Sequence, residues 1–467
     1  MVLVDDLGWR DLEVPAGSPA LAPLPNFRTP HALRLADEGV TFTRAYASAP
    51  VCTPTRVSWL TGQDPAAHGV TWWTLRRDRD VSTAHPTLAP PSWRVNGLQP
   101  SPELLPTRLR EAGYATIHVG KAHFGAADTP GADPRQLGFE VSVAGHAAGA
   151  PGSYLGEDRF QNERRRGVEE PAPTIWDVPE LEAYHDTQTY LTEALAEEAV
   201  RELARAHASG RPVFLNFCPY AVHTPLQANP RHLEEGGGLA AVEAAYASMV
   251  ASVDAALGQL LEELDRLGMT EDTLVLVTSD NGGLSAHTRA APRHVHNAPL
   301  RSGKGSALEG GLRVPLLVRF PGRAAEGERC DRPVITTDLT ATVLEAAGLE
   351  PMARGEPLQR ALMDPGGVHG RGPLGWHVPH QWGAPGPGIE PFSAWMEGPD
   401  KLIWYHASGT LELYDVVADP GELRDLSAER PVRVRELLEG LRGWLEASGA
   451  GYSHLREGGA AVRPPGA

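Results

Sequence analysis

Four short apolar runs in this 467-residue chain are each followed by side chains equipped for chemistry. Asp5 and Asp6 follow residues 2–4, Lys121 and His123 follow 117–119, His223 comes a few residues after 214–217, and Asp280 and Asn281 follow 274–278. In an open parallel sheet, ligands bind beyond the carboxyl ends of the strands. If the four runs are strands of one such sheet, their polar side chains meet on one rim. Asp5, Asp6, Asp280 and Asn281 offer oxygen donors only, a set that suits a hard cation, Ca2+ or else Mg2+, better than a transition metal. Taken singly, Asp-Asp and Asp-Asn-Gly are just as well explained as turn formers after a strand.

A fifth feature shifts that balance. Pro50-Val51-Cys52-Thr53-Pro54-Thr55-Arg56 leads into Val57-Ser58-Trp59-Leu60-Thr61-Gly62. Pro54 suits a first helical turn, so Cys52 is expected just ahead of a helix N-terminus, where unpaired backbone N–H groups favour an anion. Arg56, one turn in, can point back toward the same place. A lone cysteine in such a position is ordinarily a small buried hydrophobe.

The run from Cys52 to Gly62 resembles the signature of the sulfatase family, Cys-x-Pro-x-Arg continuing to Leu-Thr-Gly. The resemblance covers nearly the whole chain in the same order. It takes in Asp5-Asp6-Leu7-Gly8-Trp9, Gly113 through Gly120-Lys121-Ala122-His123, His223-Thr224-Pro225, Ser279-Asp280-Asn281-Gly282 and Lys304 through Glu309-Gly310-Gly311. Ala122 departs from the pattern, standing where the family usually carries an aromatic residue. The few residues before Asp5 also depart from it, and would put Met1 inside a longer natural strand.

The resemblance implies that a formylglycine-generating maturation enzyme oxidises Cys52, and that the hydrated aldehyde supplies the hydroxyl that attacks sulfur. It implies a divalent cation, Ca2+ before Mg2+, held by Asp5, Asp6, the modified Cys52, Asp280 and Asn281. Arg56, Lys121 and Lys304 would neutralise sulfate oxygens, His223 with Lys304 would protonate the leaving oxygen, and His123 would take a proton from the remaining hydroxyl. The substrate would be a sulfated small molecule or a sulfated carbohydrate. A formylglycine-dependent phosphodiesterase or phosphonate monoester hydrolase is the neighbouring alternative. A non-catalytic binder of sulfated glycans is a third reading, although a binder has no need of Cys52.

These residues need a scaffold. Residues 1–4, 115–119, 213–217, 273–278 and 314–320 read as strands, while Leu191, Leu195, Ala199, Leu203 and the series from Val253 to Leu267 keep helical spacing. The alternation predicts an α/β fold, a large mainly parallel sheet sandwiched by helices. Long Pro-, Gly- and Arg-bearing stretches at 76–102, 125–185 and 284–300 would wall a pocket. His287, His294 and His296, with Trp376, His377 and His380 from a Gly/Pro-rich stretch at 364–390, are candidates to touch substrate. Segments 392–397, 401–406 and 410–416 read as a small C-terminal antiparallel sheet, covered by a helix at 431–448 and followed by a loose tail. The expected division is a catalytic unit, 1–367, and a small α+β unit, 368–467.

Bulk properties narrow the partners. With 42 Lys and Arg against 59 Asp and Glu, the net charge of −17 opposes attraction of nucleic acid or an anionic membrane, so an anionic substrate needs a local positive site. The apolar runs at 274–277 and 316–318 fall far short of the roughly 18 residues of a membrane span. Neither a nucleic-acid partner nor a span is expected. Three cysteines, at 52, 218 and 330, leave at least one thiol unpaired or modified. No Gly-x-Ser-x-Gly or His-Glu-x-x-His occurs, which weighs against a serine hydrolase or a zinc protease. With Met1 as the true start the chain would be cytoplasmic, and with a longer natural N-terminus periplasmic or secreted.

Overall fold

A computed structural model describes residues 1–14, 27–161, 174–233, 240–285, 293–352, 354–367 and 369–466. The central strands come from Val-, Leu- and Ile-rich runs, the pattern of strands covered on both faces. In chain order the first eight are β1 (Val2–Val4), β2 (Val40–Tyr46), β3 (Leu88–Ala89), β4 (Ala115–Gly120), β5 (Val141–Val143), β6 (Val213–Cys218), β7 (Val275–Ser279) and β8 (Arg313–Arg319). They are followed by β9 (Glu328–Cys330), β10 (Val334–Ile335), β11 (Leu374–Val378), β12 (Phe392–Glu397), β13 (Asp400–Tyr405), β14 (Leu411–Asp415) and β15 (His454–Leu455).

The large sheet runs β10-β2-β8-β7-β1-β6-β4-β5, with β9 also paired to β2. It is parallel except at β8, which runs antiparallel to both β7 and β2. The expected mainly parallel sheet is therefore present, as a mixed sheet. Sequence reading missed β2 because Thr41, Thr43 and Arg44 interrupt its apolar run. Helices Pro30–Asp37, Leu191–Ala208 and Ala241–Leu267 bury apolar stripes on one face. Helices Cys52–Thr61, Leu105–Glu111 and Thr336–Ala346 cover the other.

Ala241–Leu267 is long and apolar enough to cross a membrane by length and composition, but 72% of its most apolar window is buried in the protein. Its faces are occupied by Leu191–Ala208 and the sheet, so packing accounts for its apolarity.

The second sheet is antiparallel, in the order β11-β12-β13-β14, and helix Pro431–Ala447 covers it. Its first strand, β11, lies in the stretch that composition marked as linker, and the tail expected to be loose folds back as β15 to pair with β3. One apolar cluster joins the two sheets, with Tyr46 and Val51 against Trp376 and Phe392. Trp376 also donates its indole N–H to the Ala47 carbonyl at 2.9 Å.

Candidate active site

The four chemically loaded strand ends are neighbours, since β7, β1, β6 and β4 are consecutive in the sheet. Asp5 and Asp6 leave β1 beside Asp280 at the end of β7, and the Asp6 backbone N–H donates to Asp280 Oδ1 at 3.2 Å. Lys121 and His123 were expected to share a face if their strand persisted. It stops at Gly120, and His123 adopts a left-handed φ of 52°, so strand alternation does not govern them. Both reach the rim nevertheless.

Below the rim three carboxylates face three cations. Lys121 Nζ lies 2.6 Å from Asp5 Oδ2, Lys304 Nζ 2.7 Å from Asp6 Oδ1, and Arg56 Nε 2.7 Å from Asp280 Oδ2. Arg56 also donates to the Lys121 carbonyl at 2.8 Å, so it props Asp280 and the β4 terminus from behind. Asn281 donates its amide to Asp6 Oδ1 at 2.7 Å, and its own buried Oδ1 has no hydrogen-bond partner among the described residues. An unpaired buried acceptor normally costs about 1–3 kcal/mol. A cation among these oxygens would remove that cost, and an all-oxygen set of this kind fits Ca2+ or Mg2+. Asp5, Asp6, Cys52 and His223 also bring one donor atom each within 4.8 Å of one another.

The electrostatics bear the mark of crowding. Burial raises Asp5 to about 7, against the pull of Lys121. Burial pushes Asp6 the same way, but Lys304 and His223 outweigh it and hold that carboxylate well below its usual range. Lys304 is opposed by burial, yet Asp6 and Cys52 carry it above its ordinary value. Burial, helped by Lys304, lowers His223 to about 3, and burial lifts the Cys52 thiol to about 12.

Cys52 is the first residue of helix Cys52–Thr61, with Val51 as N-cap, one position inside the boundary expected from Pro54. Its Sγ lies 3.6 Å from Asp5 Oδ1 and 3.3 Å from Lys304 Nζ. It faces a cavity of about 240 Å³ whose wall includes His123, His223 and Lys304, with Arg56 and Lys121 behind that wall. His123 Nε2 is 2.9 Å from the Thr74 carbonyl, a contact only an N–H can make, which leaves Nδ1 as the unprotonated nitrogen, without a partner among the described residues. His223 is fixed likewise, Nδ1 donating to the Thr224 carbonyl at 2.9 Å while Nε2 lies 3.7 Å from Asp6 Oδ2.

A statistical description of the sulfatase family matches residues 1–349. The chain belongs to the sulfatase family. N-acetylgalactosamine-6-sulfatase of Mus musculus is 30% identical to this chain, the match covering 75% of this chain. The chain spans 62% of the length of that relative. Among solved structures, that of Ps i-CgsB in complex with k-i-k-neocarrahexaose has a TM-score of 0.74 at 25% identity, covering 95% of this chain and 91% of that one. The phosphonate monoester hydrolase of Agrobacterium radiobacter shares the fold, with a TM-score of 0.62 at 21% identity over 99% of both chains.

The loop residues proposed as substrate contacts fare differently from the rim residues. Trp376 and His377 belong to β11 and are buried, His377 bonding Ser393 and the Gly451 carbonyl. His380 stacks on Trp72 and bonds Thr71 and Ser82. His294 lies against Gly386 and His296 is buried, and neither lines the cavity. His287 lies outside the described residues. Of the stretches expected to wall the site, 125–185 reaches the cavity through Gly149, Ala150 and Trp176 and 284–300 through Leu284, while among the described residues none of 76–102 lines it; Trp73, Trp176 and Trp382 were marked by no spacing rule. Gly149 was missed as well. A Cβ there would lie 2.4 Å from His123 Cε1, so only glycine leaves the ring its place.

Proposed function

We propose that the protein hydrolyses a sulfate ester to an alcohol and inorganic sulfate through a formylglycine made from Cys52. The observation that carries this is the position of Cys52, at a helix start, between the Asp5 carboxylate and the Lys304 ammonium on the floor of a cavity walled by two histidines. The modified side chain supplies the hydroxyl that attacks sulfur. A divalent cation held by Asp5, Asp6, Asp280, Asn281 and the modified Cys52 supplies positive charge that polarises the nucleophile and the sulfate oxygens.

The chain's own residues do the rest. Lys304 faces the cavity and pairs with sulfate oxygens, while Arg56 holds Asp280 ionised and Lys121 opposes the burial that raises Asp5, both cations keeping their carboxylates in place. His223 carries a proton on Nε2 to the departing alkoxide. Burial and Lys304 disfavour that proton in the empty site. The negative charge of a bound sulfate favours it. His123, with Nδ1 free to accept, takes a proton from the modified residue as sulfate leaves. The substrate is a sulfated small molecule or carbohydrate, a reading supported by the names of the relatives. The division into units 1–367 and 368–467 belongs to the same proposal, supported by the separate sheet that begins at β11.

The test is peptide mass spectrometry around Cys52 in protein from a maturation-competent host, with sulfate release measured on the same sample. A loss of about 18 Da, thiol replaced by aldehyde, together with sulfate release supports the proposal. Thiol alone and no turnover would favour a binder. Faster turnover of matched phosphodiesters or phosphonate monoesters than of sulfates would move the chain to the neighbouring activity.

A further inference from the structure

Beyond the groups assigned to the reaction, the cavity wall is strongly apolar. Trp73, Trp176 and Trp382 come from three separate stretches of chain, and Val51, Ala150 and Leu284 fill between them. Among the described residues no carboxylate, amide or guanidinium lines this space. The one hydroxyl, that of Thr224, lies 3.3 Å from His223 Nδ1. Trp382 sits at the reacting end. Its ring centroid is 5.7 Å from Lys304 Nζ, and it packs on Gly305, whose φ of 88° and missing Cβ let the indole approach.

With the sulfate-ester reading as its premise, we propose that the alcohol half of the substrate is a single apolar ring held by Trp73, Trp176 and Trp382. Two physical arguments select this class. A sugar ring pressed against that wall would find few polar side chains among the described residues to partner its hydroxyls, each unpartnered one costing about 1–3 kcal/mol, whereas an aromatic ring gains by stacking on or edging the indoles. The second argument is size. About 240 Å³ lies below the ~300–1,000 Å³ of ordinary ligand pockets, enough for sulfate and one ring but not for an embedded oligosaccharide.

The test compares 2-phenylethyl sulfate with galactose 6-sulfate on the full, matured chain. Both are primary alkyl sulfates, so leaving-group basicity does not decide the outcome. The expected result is a kcat/KM at least about tenfold higher for the phenylethyl ester. Trp73→Leu, Trp176→Leu and Trp382→Leu should each raise its KM by about tenfold with a smaller change in kcat, and Trp73→Leu and Trp176→Leu should leave the inhibition constant of inorganic sulfate unchanged. Trp→Phe variants should recover most of the loss, which separates ring contact from folding damage. If the Leu variants do not fold, inhibition of the unaltered enzyme by 2-phenylethanol but not by galactose is the expected result. Equal or better turnover of galactose 6-sulfate, or a KM indifferent to all three tryptophans, overturns the proposal. Turnover of neither ester, with no inhibition by inorganic sulfate, would instead overturn the sulfate-ester premise and this inference with it.

Discussion

Lys304→Met keeps most of the side-chain volume and removes one charge from the most crowded part of the protein. The ammonium is 4% exposed, 2.7 Å from Asp6 Oδ1 and 3.3 Å from Cys52 Sγ. Its loss leaves Asp5, Asp6 and Asp280 against Arg56 and Lys121 alone. Removing one partner of a buried pair destabilises by about 3–5 kcal/mol. A divalent cation among the same oxygens replaces the lost charge, and an ion that binds only the folded state stabilises by ~2.7 kcal/mol at a hundredfold excess over Kd. The variant, freed of the competing lysine, should gain more from the ion than the unaltered protein does. Urea unfolding, followed by tryptophan fluorescence, should therefore show a deficit of about 3–5 kcal/mol in chelator that narrows in excess CaCl2 by the variant's additional gain from the ion. Combining Lys304→Met with Asp6→Asn should cost less than the two single changes added. A deficit of the same size with and without the cation would refute the reasoning, because Lys304 would then not compete with an ion for these carboxylates.

Three further outcomes are expected. Gly149→Ala places a methyl group 2.4 Å from His123 Cε1, so turnover should fall at least about tenfold and stability by about 1–3 kcal/mol, checked by kinetics and urea unfolding. Lys401→Met strips the cation from between Glu309 and Glu422, each 3.0 Å away and all fully buried, and should cost about 3–5 kcal/mol in the same unfolding assay. Burial lowers His377 to about 4 and His380 to about 3, from the ordinary 6.5. The unfolded chain thus takes up these protons first, and the stability the neutral rings contribute above about pH 6.5 drains away as pH falls toward 4. A urea midpoint flat across that window would be inconsistent with buried neutral rings, and His377→Gln should make the slope shallower.

What the sequence disclosed depended on how locally each property is encoded. Strand ends announce themselves, because an apolar run that stops at Asp5 or Asp280 carries its chemistry one residue beyond the last inward side chain. The pairing of those ends is a topological fact, and the parallel-sheet rule supplied it without coordinates. Backbone handedness was hidden. The positive φ of His123 breaks the alternation assumed for Lys121 and His123, and nothing in Gly-Lys-Ala-His marks it. Composition also misled at β11, where a dense Gly/Pro neighbourhood disguised a buried strand and turned Trp376 and His377 from core residues into imagined loop contacts. The tryptophans that do reach the cavity sit in irregular segments, and irregular backbone has no period from which to read a direction.

The position of β1 has a consequence in time. Val2 pairs with Phe217 on one side and Val277 on the other, so the centre of the sheet stays open until both have left the ribosome. Pairings of such long range form slowly. At roughly 5–20 residues per second, residue 280 follows residue 52 by about 10–45 s. Throughout that interval the groups that bury the thiol are incomplete, and once Asp5, Asp280 and Lys304 assemble around it, it is 4% exposed. On the proposed maturation of Cys52, an enzyme acting on it would work against a clock set by translation. Faster synthesis or tighter early folding would lower the modified fraction with no change in the amino-acid sequence.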